Sequence, residues 1–199
     1  SESNIPTRNR SESMYIRMAQ TPLVERQRLV KKAHDAVRGR VVSIPEGIIR
    51  ANTREKTLQY VGKWESDFIN ELRKNNINVI PQKAIHIYNI DIFTSPSICM
   101  EIACLKTNPF FRKQFRTRCI YLLNSGFNII IIWISQGIPD IISCTDYLIP
   151  KIQSIQWNPA IRSQYWVIRG SGKFVARGSC DGNHLTFIEP SENPFYFSS

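Results

Sequence analysis

The sequence predicts an α/β chain: a mixed β-sheet flanked by helices, with a basic helical extension before it and a β-hairpin region after it. Three observations carry this expectation. Residues 78–87, 88–94 and 98–104 form three short β-type runs separated by turn residues. Residues 127–134 form a β run without alternation, as expected for a strand covered on both faces. Between them, residues 110–124 place Phe111, Phe115, Cys119 and Leu122 or Leu123 at helical spacing. The order β-β-β-α-β makes a mixed sheet with helices on its faces.

The flanking elements follow from local signals. Thr21-Pro22 opens a helix, because Thr caps well and Pro suits the first helical position, and Gly39 ends it. Leu23, Val30, Ala33 and Val37 give that helix an incomplete apolar stripe. Residues 41–54, with Pro45 and Gly47, read as a connector, and a helical stretch from about Thr53 breaks near Gly62. Residues 64–74 are amphipathic, with Trp64, Phe68, Ile69 and Leu72 on one face. Residues 145–156 repeat Leu148, Ile152 and Ile155 as a helix. Residues 164–169 and 173–178 read as strands around a Gly170-Ser171-Gly172 turn. The expected organisation is a basic extension over 1–60, a core over 61–157 and a C-terminal β-hairpin appendage over 158–199.

Composition narrows the function classes. The chain has 199 residues, 42% hydrophobic and 21% charged, the balance of a globular protein. Its formal net charge is +10, which favours a polyanionic partner such as nucleic acid. The charge is uneven: residues 1–63 carry 13 Lys/Arg against 6 Asp/Glu, and residues 64–199 carry 13 against 10. Candidate phosphate-contacting cations are Arg26, Lys31, Lys32, Arg38 and Arg40 in the front helix. Arg112 and Arg116 in the middle helix and Arg169 and Lys173 at the C-terminal hairpin join them, and the polar N-terminus adds Arg8, Arg10 and Arg17. Each group is either a phosphate contact or an ordinary solvated face. The 5 cysteines are odd in number and form no CxxC pair, so neither a disulfide framework nor a zinc site is expected. Reduced thiols, no apolar signal core and no apolar run of membrane-spanning length point to a cytoplasmic or nucleoid-associated protein with no membrane partner.

Two acids stand inside the β runs, where an unpaired charge is costly. Alternation puts Asn89, Asp91 and Phe93 on one side of their strand and Cys99, Glu101 and Ala103 on one side of the next. Adjacent hairpin strands bring Asp91 and Glu101 together. Either a cation partner neutralises them or they share a divalent metal, since hard cations take carboxylate oxygens. Glu65 lies on the apolar face of its helix, through a structural salt bridge or as a contact to water or metal. Lys83 shares a face with Val79, Ile85 and Ile87, and His86 shares the other with Gln82 and Ala84.

Taken together, the helix with Glu65, PQKAIHIYNIDIF, ICMEIA and the helix-to-strand step through Arg118 and LLNSGFNIIIIWI resemble the PD-(D/E)XK nuclease superfamily, in particular its very-short-patch-repair-like branch and the phage-type homing endonucleases related to it. The matching positions are Gln82, Tyr88 to Asp91, Glu101, Arg118, Leu122 and Gly126, within residues 64–134. Ala103 stands where the usual lysine follows the acid, and no His-Asp pair occurs in LKTNPFF. The resemblance implies a restriction-endonuclease-like core. It also implies a Mg²⁺- or Mn²⁺-dependent endonuclease hydrolysing phosphodiester bonds in double-stranded DNA. Asp91, Glu101 and Glu65 would be metal ligands, and Lys83 or His86 would steady charge or move a proton. The alternative is a catalytically inactive nucleic-acid-binding protein, or an assembly subunit, on the same fold. The sequence leaves monomer or homodimer open.

Overall fold

In the computed structural model, residues 19–58, 61–158 and 160–190 are described. Arg8, Arg10 and Arg17 lie outside them. The chain divides into two units, Ser1–Val42 and Ser43–Ser199. The first contains α1 (Leu23–Val37), which carries Glu25 in its first turn and His34 in its last. Its apolar residues Leu23, Val24, Leu29 and Val30 are all exposed.

The second unit is an α/β domain. It comprises α2 (Ile44–Thr57), α3 (Glu65–Lys74), β1 (Val79–Ile85), β2 (Tyr88–Thr94), β3 (Ile98–Cys104), a 3₁₀ turn (Pro109–Phe111), α4 (Lys113–Asn124), β4 (Asn128–Ile134), α5 (Ile141–Trp157), β5 (Gln164–Arg169), β6 (Phe174–Asp181) and β7 (His184–Pro190). All seven strands form one mixed sheet in the order β1-β2-β3-β4-β5-β6-β7. The β3–β4 and β4–β5 pairs are parallel, and the others are antiparallel. Pro81 sits in β1, an edge strand, where a missing N–H does least harm. Every residue of β4 is buried, which explains the apolar run over 129–134.

Two cores sandwich the sheet. On one face Phe68, Ile69 and Leu72 of α3 and Leu148, Ile152 and Ile155 of α5 pack on Ile92, Met100, Ile130 and Ile132. On the other, Cys119, Leu122 and Leu123 of α4 pack on Cys99, Ala103, Ile129, Ile131 and Trp133. Phe110, rather than the expected Phe111, enters this second core, because a 3₁₀ turn and the extended Arg112 precede α4 and shift its phase. Among the described residues, no helix is long and apolar enough to cross a membrane.

The connector expected over 41–54 is a helix. Ser43 caps it by accepting from the Glu46 N–H, and Pro45 falls in its first turn, where proline is tolerated. Gly47 permits close packing: a Cβ there would lie 2.8 Å from Ile87 Cγ2. The helix is locked to β1 by Glu55, which accepts from Lys83 Nζ at 2.7 Å and from the Ala84 N–H at 2.8 Å. Burial pushes the Glu55 carboxyl up, but these two donors hold it below its usual value. Glu55→Ala is expected to loosen α2 and cost about 1–3 kcal/mol, seen as a lower urea midpoint, because it strands a partly buried N–H and a lysine.

The C-terminal strands are part of the main sheet. β5 pairs in parallel with β4 from Ile129↔Tyr165 to Trp133↔Arg169, and β6 and β7 extend it outward. A hairpin appendage was expected because its turn is local, whereas the partner of β5 is distant in sequence.

Candidate active site

The sheet opens at Asp91. In the β1–β2 ladder, Pro81 pairs with Ile92 and Lys83 with Ile90, so Gln82 and Asp91 between them are skipped. The β2–β3 ladder runs from Thr94↔Ile98 to Ile92↔Met100 and stops, so the next pair, Asp91 and Glu101, is also skipped. Gln82 takes φ of 50°, a left-handed conformation that breaks the alternation of β1. Asp91 bridges the resulting notch, with Oδ2 accepting the Ile102 N–H at 2.8 Å.

The notch gathers acids from three elements. Glu101 is 3% exposed on the α4 face of β3. Arg118 of α4 reaches it, with Nη2 against Glu101 Oε2. Glu101 Oε1 is buried and has no hydrogen-bond partner among the described residues. Glu65, 5% exposed, opens α3. Its Oε1 accepts the Gly62 N–H at 2.7 Å and its Oε2 accepts from Gln82 Nε2 at 2.8 Å. The helix N-terminus further favours an acid there.

The electrostatics are those of surplus negative charge. Burial first, then Asp91, pushes the Glu65 carboxyl up to about 7, against Gln82, the Gly62 N–H and Arg118. Burial pushes Glu101 up to about 8; Arg118 opposes this while Asp91 and Glu65 add to it. Burial also raises Asp91, against the Ile102 N–H and Arg118. Arg118 is held above its ordinary value: burial works to discharge it, and Glu101 and Asp91 overcome that. Three carboxyl groups share one guanidinium, so the cluster takes up a proton near neutrality.

A pH dependence follows. Glu65 and Glu101 bind protons more tightly in the folded chain than at their ordinary 4.5. Their contribution to stability is therefore complete below about pH 4.5 and declines as pH rises through 7 and 8. Metal-free protein is expected to lose urea resistance progressively between about pH 5 and 8, and the loss should shrink in a Glu101→Gln variant.

Several expected site residues are placed elsewhere or in other roles. Lys83, expected beside the acids, is engaged by Glu55, because the left-handed Gln82 interrupts the alternation that would have aimed it otherwise. His86 stands between β1 and β2 with φ of 57° and stacks on Tyr121, ring centroids 5.2 Å apart. Glu65, expected as a metal ligand, accepts one N–H donor at each oxygen, which leaves each oxygen a further lone pair. Two residues not foreseen belong to the notch's surroundings. The Cys104 thiol is raised by burial first and feels Lys63, Asp91 and Glu65, so all three are in its electrostatic reach. Lys63 rests its ammonium 4.5 Å from the Trp64 ring.

Comparison with family models, characterised proteins and solved structures finds no match. The reading of this site therefore rests on its own chemistry.

That chemistry suits a hard divalent cation in one respect. Asp91 and Glu101 offer oxygen donors across the notch, and Glu101 Oε1, like Nε of its partner Arg118, is buried without a hydrogen-bond partner among the described residues. Among the described residues, no group of three His, Cys, Asp or Glu is arranged to hold a metal. A two-carboxylate set completed by water and a substrate phosphate is the common arrangement for Mg²⁺.

The candidate phosphate contacts fall in both units. In α1, Arg26 Nε donates to Thr21 O at 2.6 Å and Lys31 and Lys32 are exposed; Arg38 and Arg40, also exposed, follow the helix. Arg38 lies 3.3 Å from Asp35. Arg112 and Arg116 are exposed at the start of α4. At the hairpin, Lys173 is exposed, whereas Arg169 lies over the Trp133 ring at 3.8 Å and is half-buried.

Gly62 is a support for this site. A Cβ there would collide with Glu65 Oε1. The obstacle is a side-chain tip, so the carboxylate moves and the backbone stays. Gly62→Ala is expected to forfeit the Glu65 hydrogen bonds and cost about 1–3 kcal/mol, checked by thermal denaturation.

Proposed function

We propose that this chain is a metal-dependent DNA endonuclease that hydrolyses phosphodiester bonds at the Asp91–Glu101 notch. The observation that carries this reading is the notch itself. Two ladders skip Asp91, leaving it opposite a buried glutamate that has one oxygen without a donor. A purely structural ion pair gives no reason to interrupt the sheet there.

Asp91 and Glu101 are the residues that would hold Mg²⁺ or Mn²⁺. When bound, such an ion supplies Lewis-acid polarisation of the scissile phosphate. Glu65, with its carboxyl near 7, takes a proton from the attacking water, in keeping with the match of pKa to working pH that general bases need. Arg118 offers positive charge to the phosphate in exchange for its contact with Glu101. The cations of α1, α4 and the β5–β6 hairpin hold the DNA backbone, which makes binding fall steeply with salt.

One observation favours a second reading. Arg118 lies against Glu101, and Ala103 stands in the neighbouring position of β3 where the resembled family carries lysine. A cation already in place disfavours a metal beside it, which suits a nucleic-acid-binding protein or assembly subunit without catalysis. The test is incubation of supercoiled and linear DNA of varied sequence with Mg²⁺ or Mn²⁺. Nicks or breaks that vanish with EDTA support the endonuclease. Intact DNA across all substrates, with salt-sensitive binding retained, supports the second reading.

A further inference from the structure

A groove of about 760 Å³ opens beside the notch, between the start of α4 and Tyr88 at the start of β2. Its lining includes Tyr88, Leu105, Arg112, Lys113, Phe115 and Arg118. The chemistry is one-sided. Its charged lining residues are all cations, and among the described residues the side chains of Arg112 and Lys113 meet no acid. The first turn of α4 has no side-chain cap, so its N–H groups add positive potential at the same place. The groove is also aromatic. Tyr88 ends a run of rings in which His86 stacks on Tyr121 at 5.2 Å and Tyr121 meets Tyr88 at 5.4 Å. Phe115 is braced by Phe110 at 6.1 Å.

Cations that take phosphates, beside an aromatic ring that takes a base, describe a subsite for a nucleotide outside a duplex. A paired base has both faces covered by its neighbours and leaves none for Tyr88. We infer that this groove binds one unpaired nucleotide of a nucleic-acid strand, with its phosphate on Arg112 and Lys113 and its base on Tyr88. Arg118 borders both the groove and Glu101, so the bound nucleotide lies next to the candidate site. The inference rests on the reading that the chain handles nucleic acid, and it is independent of cleavage.

The experiment is fluorescence anisotropy of the full chain in EDTA at moderate salt. The probes are a labelled single-stranded oligodeoxynucleotide and a blunt-ended two-strand duplex that contains the same strand. Tyr88→Ala is expected to weaken single-strand binding by about fivefold or more, the range of one lost base stack, and duplex binding by less than about twofold. Tyr88→Phe should keep the single-strand affinity. Lys113→Glu, at an exposed position, should lower single-strand binding without lowering the melting temperature, and it serves if Tyr88→Ala fails to fold. Absence of single-strand binding by the unaltered chain overturns the inference. So does equal weakening of both probes by Tyr88→Ala, or unchanged single-strand binding in Lys113→Glu. Because EDTA removes any metal-dependent chemistry, loss of the endonuclease reading in the cleavage assay leaves these outcomes unaffected.

Discussion

Asp91→Asn is expected to remove metal-dependent cleavage, lowering its rate by about a thousandfold, while leaving the fold intact. The fold survives because the amide oxygen still accepts the Ile102 N–H that Asp91 Oδ2 takes at 2.8 Å. The chemistry does not survive, because the amide loses the negative charge that a hard cation needs. Lewis-acid stabilisation is worth several kcal/mol, and each 1.4 kcal/mol is about tenfold in rate. Asp91 also pushes up both Glu65 and Glu101, so neutralising it lets these two ionise at lower pH. The check is paired: urea denaturation for the fold, and nicking of supercoiled DNA for the chemistry. A variant that unfolds at much lower urea would mean that Asp91 is chiefly a strap across the notch. A folded variant that cuts as fast as the original would remove Asp91 from the reaction.

Arg118→Leu carries the largest expected stability cost. Leucine fills much of the space but leaves Glu101 buried, with no cation against it. Removing one member of a buried pair typically costs about 3–5 kcal/mol. The penalty depends on charge, so it has a pH signature. Glu101 already has a carboxyl raised to about 8, and Arg118 is the group that opposes this rise. Without Arg118 the carboxyl rises further, and the variant is least impaired at acid pH, where Glu101 is protonated in both folded and unfolded chains. Urea midpoints at pH 5 and pH 8 should diverge more for Arg118→Leu than for the unaltered chain. A loss of equal size at both pH values would assign Arg118 to packing instead of charge balance. The double variant Arg118→Leu with Glu101→Gln should recover most of the loss, as a coupled pair requires.

Much of the central sheet was legible in the residues. The alternation in β2 and β3 places Asp91 and Glu101 side by side, and the apolar run over 129–134 announces a strand buried on both faces. The parts that escaped have physical causes. Pro45 and Gly47 are breakers in most contexts, but here one occupies a helix's first turn and the other yields to Ile87. Lys83 falls beside the acids only if alternation runs unbroken through β1, and it fails at the left-handed Gln82. The Arg118–Glu101 contact depends on the rotation of α4 over β3, and no spacing within the chain encodes it. The same holds for β5, whose partner β4 is separated from it by the whole of α5. β7 was missed because His184–Pro190 lacks a clean alternation and pairs across a register shift in β6.

Mn²⁺ binding, followed by electron paramagnetic resonance in the presence of a short DNA duplex, tests the central claim without any need to find a target sequence. The account predicts that the unaltered chain removes Mn²⁺ from the free signal, and that Asp91→Asn and Glu101→Gln each lose most of that binding. Failure of the unaltered chain to bind Mn²⁺ above the DNA alone, or equal binding by all three proteins, would contradict it. Either outcome would leave Arg118 as the cation that the two acids serve.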